Sequence, residues 1–359
     1  MKNPEIENIR HEIRQKDCDI VRLLNERARL SVEVGRIKGR AGVEVYDPAQ
    51  ESRVFNQIAA LNGGPLAADA LRIIYGEILS ASRALQAPLA VAFLGPEGSF
   101  AHLVALGRFG RNARTVAQET ISTVFDAVEK RKADFGVVPL ENSVEGPVRV
   151  TLERLIATPL AIRAEIFLRI SHCLMARGAK AKIRRVYSHP QALAQCRRWL
   201  AMNMPQALPV EAESTSAAVL RALKDRQAGA IGSRLASEIH GLPIVAEGIE
   251  DHPANSTHFI VIGRGENGPT GSDKTSILFS TQHKPGALHA ALAPFAKAEI
   301  NLLRIESHPA RDGIWQYHFF VDFEGHTGEK IVKTCLKALG RRTATLKILG
   351  SYPREEVKP

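Results

Sequence analysis

Residues 134–146 read DFGVVPLENSVEG. The apolar run Phe135–Leu140 predicts a strand, which then delivers a carboxylate, an amide and a hydroxyl in succession, Glu141, Asn142 and Ser143. In open α/β sheets ligands sit beyond the carboxyl ends of the strands, where loops carry polar groups into a concave space. Glu-Asn-Ser is therefore a candidate site. The plainer reading is a turn followed by a helix from Pro147, because Asn and Ser favour turns and Pro suits a first helical position. On this segment alone the turn is preferred.

Strands and helices alternate on both sides of this stretch. LAVAFLG, from Leu89, runs into the turn GPEGS and a helix from Phe100, where Gly95, Gly98 and Ser99 can aim backbone amides at an anion. The glycine and lysine spacings of a P-loop or dinucleotide fingerprint are missing. A helix over Ile121–Lys132 leads into the opening strand, and a helix over Pro147–Ala157 follows it. Next come the strand IFLRISHCLMAR and the strand, turn and helix RRVYSHPQALAQCRRWL. Ser188 and His189 end that strand, with Gln191 and Gln195 on one face of the helix. VEAESTSAAVLRAL repeats the plan. Its Ser214, Thr215 and Ser216 read either as an anion-binding hydroxyl cluster or as an N-cap with spare neighbours. After strands GAIGS and LPIVAEGI, Asn255, Ser256 and Thr257 lie just before an apolar strand.

GPEGSF, VVPLENS, YSHPQALAQC, ESTSA and NSTHF, in this order, resemble prephenate dehydratase over Val91–Gly263. The ordered set is far more specific than any member. The resemblance implies two α/β lobes around a cleft, like a periplasmic binding protein, with Thr257 as the main catalytic residue. It implies further that Glu141, Asn142 and Gln195 bind and orient the substrate, prephenate, while Ser99, Ser188, His189, Thr215 and Ser216 line the pocket. His258 departs from the arginine often found after that threonine.

The N-terminal segment reads as helices alone. Ile6, Ile9, Ile13, Ile20, Leu24 and Val34 form a helical stripe up to Lys38, and Gly39 and Gly42 end it. Asp47 is an N-cap with Pro48 after it, Asn62-Gly63-Gly64-Pro65 breaks the second helix, and a third covers Ala67–Leu85. So thin a bundle is expected to need a second copy to bury its faces. Arg27 and Lys38 lie about 16 Å apart on one face of the long helix, within reach of one small dianion. Arg10, roughly 25 Å further along, reaches such a site only from another chain. An isolated helix would read more simply as a solvated basic face.

RHEIRQKDCDIVRLLNERARLSVEVGRIK, VYDPAQE and ILSASRALQ resemble the all-helical chorismate mutase family. The resemblance implies that Arg27 and a partner's Arg10 bind the carboxylates of chorismate. Lys38 and Gln86 would contact the ether oxygen, and Asp47, Glu51 and Ser82 would hold the hydroxyl or ring. A Claisen rearrangement needs no nucleophile. It needs a compact conformer and donors aimed at the oxygen where charge grows. Gln50 departs from a position that is often basic, with Arg53 one turn later.

ENGPTGSD, Glu266–Asp273, reads as a linker. TSILFSTQ, PGALHAALAPFAKAE, INLLRIESHP, WQYHFFVDFEG, EKIVKTCLKALG and TATLKILGSY then give β-α-β-β-α-β, a ferredoxin-like order that specifies no function. Gly286-Ala287-Leu288 and Glu306-Ser307-His308-Pro309 resemble the segments of the ACT regulatory domain that bind L-phenylalanine at a dimer interface. His289 and His308 depart from the usual valine and arginine, and a dimerisation module without ligand is the simpler alternative.

Composition bounds this reading. A chain of 359 residues is too long for one core. Three domains are expected, all-α at 1–87, two-lobed α/β at 89–265 and α+β at 274–352. The net charge of +10 raises nucleic acid or small anions as partners. Dispersed charge, 6% aromatics and no zinc-finger or RNA-binding motif favour small anions. No apolar run approaches about 20 residues, and MKNPEIENIR lacks the apolar region of a signal peptide, so no membrane association is expected. Scattered Cys18, Cys173, Cys196 and Cys335 fit a reducing cytoplasm, and no metal-ligand spacing or cofactor is implied. The expectation is a homo-oligomer, at least a dimer, that converts chorismate to prephenate and prephenate to phenylpyruvate under phenylalanine inhibition. Two alternatives stand beside it: a dehydratase with a structural mutase-like segment, and a non-catalytic amino-acid-responsive binding protein.

Overall fold

The structure is a computed structural model that describes residues 3–309 and 317–355. The chain splits into two compact units, Met1–Leu89 with Arg108–Arg114, and Ala90–Gly107 with Thr115–Pro359.

The first unit contains helices α1 (Pro4–Ala41), α2 (Pro48–Leu61) and α3 (Ala68–Gln86). Helix α1 starts where the Asn3 side chain accepts from Glu5 N, and it runs three residues past the expected end at Lys38. A glycine inside a helix costs only about 1 kcal/mol, so Gly39 does not stop it. Gly42 does, in the left-handed conformation that caps helices. Asp47 caps α2 by accepting from Gln50 N at 3.0 Å. No residue of α1 is buried, and Ile6, Ile9, Ile13, Ile20, Leu24 and Val34 are all exposed.

The second unit holds three sheets. The first contains β1 (Ala90–Leu94), β2 (Arg114–Gln118), β3 (Phe135–Asn142), a two-residue β4 (Gly146–Pro147), β5 (Ala161–Arg169) and β11 (Ser256–Gly263), in the order β2-β1-β3-β11-β5 with β4 on β3. Helices α4 (Phe100–Phe109), α5 (Ile121–Glu129) and α6 (Arg149–Ala157) connect these strands. Pro147 does not open a helix as expected; it pairs with Glu141 across the β3–β4 hairpin, and α6 begins two residues later. On so short an edge strand the missing proline N–H is tolerated.

The second sheet contains β6 (Cys173–Ala176), β7 (Arg185–Ser188), β8 (Leu208–Glu211), β9 (Ala228–Gly232) and β10 (Ile244–Glu247), ordered β10-β6-β9-β7-β8. Its helices are α7 (Pro190–Gln195), α8 (Arg197–Asn203), α9 (Thr215–Lys224) and α10 (Arg234–His240). The apolar stretch IFLRISHCLMAR is therefore two strands in different sheets, because the chain leaves the first sheet at Ile170 and enters the second at Cys173. Periodicity does not reveal that break, since buried Ile170 continues the apolar run between the half-buried end of β5 and the buried β6. Helix α10 was not expected either; seven residues are too few for a periodic signal.

The third sheet contains β12 (Asp273–Ser280), β13 (Leu302–Pro309), β14 (Tyr317–Glu324) and β15 (Thr345–Pro353), with α11 (Ala287–Lys297) and α12 (Lys330–Gly340). Its antiparallel order β13-β14-β12-β15 is ferredoxin-like. Trp315 and Gln316, expected to begin β14, lie outside the described residues. Alternation gives this sheet two apolar faces. Ile277, Phe279, Val321 and Phe323 pack with α11 and α12, whereas Leu278, Phe320, Leu349 and Tyr352 join the core of the first sheet. At that junction Gly350 has φ +152°, and a Cβ there would meet Ile162 O at 2.2 Å, so the approach of β15 to β5 requires glycine.

Candidate functional site

A cleft of about 650 Å³ opens between the first and second sheets. Its wall is built first by the register of β3 against β11, which pairs Asn142 with Thr257. The orientation of the Asn142 amide follows from its neighbours. Oδ1 accepts from the backbone N–H of Val144 at 2.9 Å and of Glu145 at 3.1 Å, so that end must be the carbonyl. Nδ2 then donates to Thr257 Oγ1 at 2.9 Å and to Asn255 Oδ1 at 2.9 Å. Thr257 is nearly buried, and with its oxygen accepting from Asn142 its own O–H is left to donate. Ser143 pins the same loop by accepting from Ser256 N at 3.0 Å.

The second lobe faces this pair with α7. Gln195 Oε1 lies 2.8 Å from His172 Nε2, and its Nε2 donates to Glu145 at 3.0 Å. Gln191, one turn earlier, donates to the other Glu145 oxygen. Burial holds the His172 imidazole below its ordinary pKa, against the opposing pull of Gln195 and Glu250. The Glu145 carboxylate can only accept, so Gln195 turns its Nε2 to it as donor and its Oε1 accepts from the His172 Nε2–H. Glu145 and His172 were missed as site residues. Glu145 is visible in hindsight as a carboxylate on the loop after the strand, whereas nothing in the sequence marks His172 apart from its apolar neighbours.

The loop before α4 ties the lobes together. Gly98 has φ +80° and would bring a Cβ to 2.9 Å from Ala236 Cα, and its carbonyl accepts from Ser233 Oγ at 2.5 Å. Ser99 and Thr215 line the cleft, as does His189, which caps α7. Two expected pocket residues point elsewhere. Ser188 Oγ donates to Ile231 O at 2.8 Å and is wholly buried, and Ser216 Oγ donates to the Glu97 carbonyl.

Glu141 also departs from its expected place. Because β3 extends through Asn142, neighbouring side chains point to opposite faces, and with Asn142 on the cleft Glu141 is turned away. Its Oε2 lies 2.9 Å from Arg304 Nε on β13.

In the first unit Arg27 Nη1 donates to Ser82 Oγ at 2.5 Å, and Lys38 Nζ donates to Val45 O at 3.0 Å. Glu51 forms a nearly buried ion pair with Arg83. Asp47 is the cap of α2, and Gln86 Oε1 is buried without a hydrogen-bond partner among the described residues. Arg10 stands apart in an exposed pair with Glu7.

A second cavity, of about 380 Å³, gathers Gly286, Ala287, Leu288 and His289 with Tyr317 and Phe319. Glu306 and Ser307 are not in its wall; Ser307 pairs with Phe319 from the edge strand β13. Among the described residues no cluster of His, Cys, Asp and Glu could hold a metal, and no helix is long and apolar enough to cross a membrane. Burial pushes the thiols of Cys173 and Cys335 up to about 11 and that of Cys196 higher still, which leaves none of the three poised as a nucleophile.

Family models match three successive segments: chorismate mutase type II at residues 9–87, prephenate dehydratase at 91–267 and the ACT domain at 275–341. A bifunctional chorismate mutase/prephenate dehydratase of Aquifex aeolicus (strain VF5) is 44% identical over 355 residues, 98% of each chain. One from Neisseria gonorrhoeae is 41% identical over 341 residues, 94% of each chain. Among solved structures, a prephenate dehydratase of Arthrobacter aurescens in complex with L-Phe is 33% identical, with a TM-score of 0.68 over 74% of this chain and 90% of that one.

Proposed function

The chain belongs to the bifunctional chorismate mutase/prephenate dehydratases, and we propose that its two units carry those two reactions. It is an enzyme that rearranges chorismate to prephenate and then converts prephenate to phenylpyruvate, with an ACT domain that fits feedback control by L-phenylalanine. The work is divided among residues 1–87, 89–265 and 274–352 in our reading.

The observation that carries the dehydratase assignment is the Asn142–Thr257 hydrogen bond on a cleft large enough for a small dianion. Prephenate must lose hydroxide and carbon dioxide. Breaking the C–CO₂⁻ bond supplies the electron pair that completes the aromatic ring, and the C–OH bond breaks as that pair arrives. Thr257 hydrogen-bonds the departing hydroxyl and relays a proton to it, since a threonine hydroxyl is too weak an acid to donate outright. The amide of Asn142 fixes the direction of that hydroxyl, and Gln195, held by His172, orients the substrate. Ser99, His189 and Thr215 contribute to the polar wall.

In the mutase, Arg27 and Arg10 of the partner subunit bind the carboxylates, Lys38 and Gln86 address the ether oxygen, and Asp47, Glu51 and Ser82 hold the hydroxyl or ring. The buried, unpartnered Gln86 oxygen and the exposed apolar stripe of α1 both support an assembly of at least two chains. L-phenylalanine is assigned to the region of Gly286–Leu288, with Glu306 and Ser307 contributing from the edge strand where a second copy can approach. A cytoplasmic setting completes this reading. Incubating the purified protein with chorismate, with and without phenylalanine, and following prephenate and phenylpyruvate separately tests it. A preparation that never consumes chorismate refutes the mutase, and one that accumulates prephenate without phenylpyruvate refutes the dehydratase.

A further inference from the structure

The face of β3 and β11 turned away from the cleft carries more buried charge than packing requires. Glu141 and His258 are cross-strand partners, each one residue from a cleft group, and both point to the reverse face. Glu141 meets Arg304 of β13 at 2.9 Å. His258 Nε2 lies 3.0 Å from Glu165 Oε2 of β5, close enough for an ion pair though not aligned as a hydrogen bond, and the same oxygen accepts from Lys274 Nζ of β12 at 2.6 Å. Glu165 is wholly buried, and His258 and Lys274 nearly so. Phe167 closes the cluster, with the His258 ring stacked on it at 4.3 Å. Arg304 of the third sheet thus reaches the immediate neighbour of Asn142, and Lys274 reaches that of Thr257 through Glu165.

Buried ion pairs are poor sources of net stability, because desolvation offsets their attraction, but charge-assisted contacts are directional. Direction is what this place lacks. The β3–β11 pairing shifts register between His258 and Phe259, so the strand ends bearing Asn142 and Thr257 lie beyond an irregularity in the ladder. A bulge re-aims the side chains next to it, and a contact on the reverse face then decides where they point.

We propose that Glu141–Arg304 and His258–Glu165–Lys274 are positioning groups that hold Asn142 and Thr257 in register, and that through them the ferredoxin-like sheet governs the dehydratase reaction. The inference rests on the dehydratase reading of the cleft. It makes Glu141 matter to the reaction without touching substrate.

The test uses the full chain and four variants: Arg304→Met, Arg304→Lys, Lys274→Arg, and the paired Glu165→Gln/Lys274→Met, which removes both charges together and serves if Arg304→Met does not fold. Dehydratase kcat is expected to fall at least tenfold in Arg304→Met and in the paired variant, with KM for prephenate within threefold of the parent. Arg304→Lys and Lys274→Arg should keep most of the rate. Calorimetry should still detect L-phenylalanine binding to the paired variant, while inhibition of its residual rate drops to less than half. Parent-like kcat in both disrupted variants overturns the proposal. So does a joint loss of kcat and KM that the conservative variants share, which would mark a merely structural role. If the parent itself makes no phenylpyruvate from prephenate, the dehydratase reading fails instead.

Discussion

Replacing Thr257 with valine removes one hydroxyl and little else. Thr257 is 8% exposed, so the new methyl stays in a packed site. The fold loses the hydrogen bond donated by Asn142, a net cost of about 1 kcal/mol. The Asn142 amide is not orphaned, since Nδ2 keeps Asn255 Oδ1 at 2.9 Å and Ser256 O at 3.3 Å. For a unit of this size that cost lowers Tm by about 2–4 °C. The catalytic effect should be far larger. A donor aimed at a departing oxygen is worth about 3 kcal/mol in the transition state, or roughly 10²–10³ in kcat, and little in the ground state. Phenylpyruvate formation should therefore fall at least a hundredfold while KM for prephenate and its calorimetric affinity change less than threefold. Mutase turnover on the same preparation should equal the parent's. Phenylpyruvate made at the parent rate would refute the assignment of Thr257. Loss of prephenate affinity in step with kcat would refute the division between positioning and chemistry.

Three other outcomes are expected. Lys38→Ala should lower mutase kcat by about 10²-fold, through loss of a donor to the ether oxygen, while dehydratase kcat stays unchanged; a mutase rate within threefold of the parent would remove Lys38 from the site. Stability should fall in two stages as pH drops. Burial holds His172 below its ordinary 6.5, so the unfolded chain gains a proton first and stability declines below that pH. Burial also pushes Glu165 up, but His258 and Lys274 outweigh it and hold the carboxyl below 4.5, so its contribution is present above 4.5 and is lost as pH falls through the lower folded value. Urea midpoints measured from pH 8 down to about 2 check both, and a flat profile contradicts them. Gly350→Ala should destabilise the second unit by about 2–3 kcal/mol, because its Cβ has no room against Ile162 O; an unchanged urea midpoint would show that β15 can shift freely.

Much of this was legible in the residues. The three helices of the first unit, the alternation of strands and helices after Leu89 and the β-α-β-β-α-β ending all follow from local patterns that a window of residues contains. Asp47 and Gly42 end or begin helices for reasons that lie within four residues of each. The ordered polar stretches, through the family they resemble, point to Asn142, Gln195 and Thr257. Breaks inside continuous apolar runs were not legible, which is why IFLRISHCLMAR concealed the passage from one lobe to the other.

Which way each polar residue faces needed tertiary structure, because an end-of-strand residue is assigned to a face only once the strand's last paired residue is known. In ENS the strand runs two residues further than the apolar run, and that places Asn142 on the cleft, turns Glu141 towards Arg304 and leaves Ser143 to pin the loop. The sequence by itself determined which residues are available for the chemistry and in what order they come. The partners that fix their roles, Asn255, His172 and Glu145 on one side and Arg304, Glu165 and Lys274 on the other, are brought together only by folding, since pairing of this kind depends on distance in space and not along the chain.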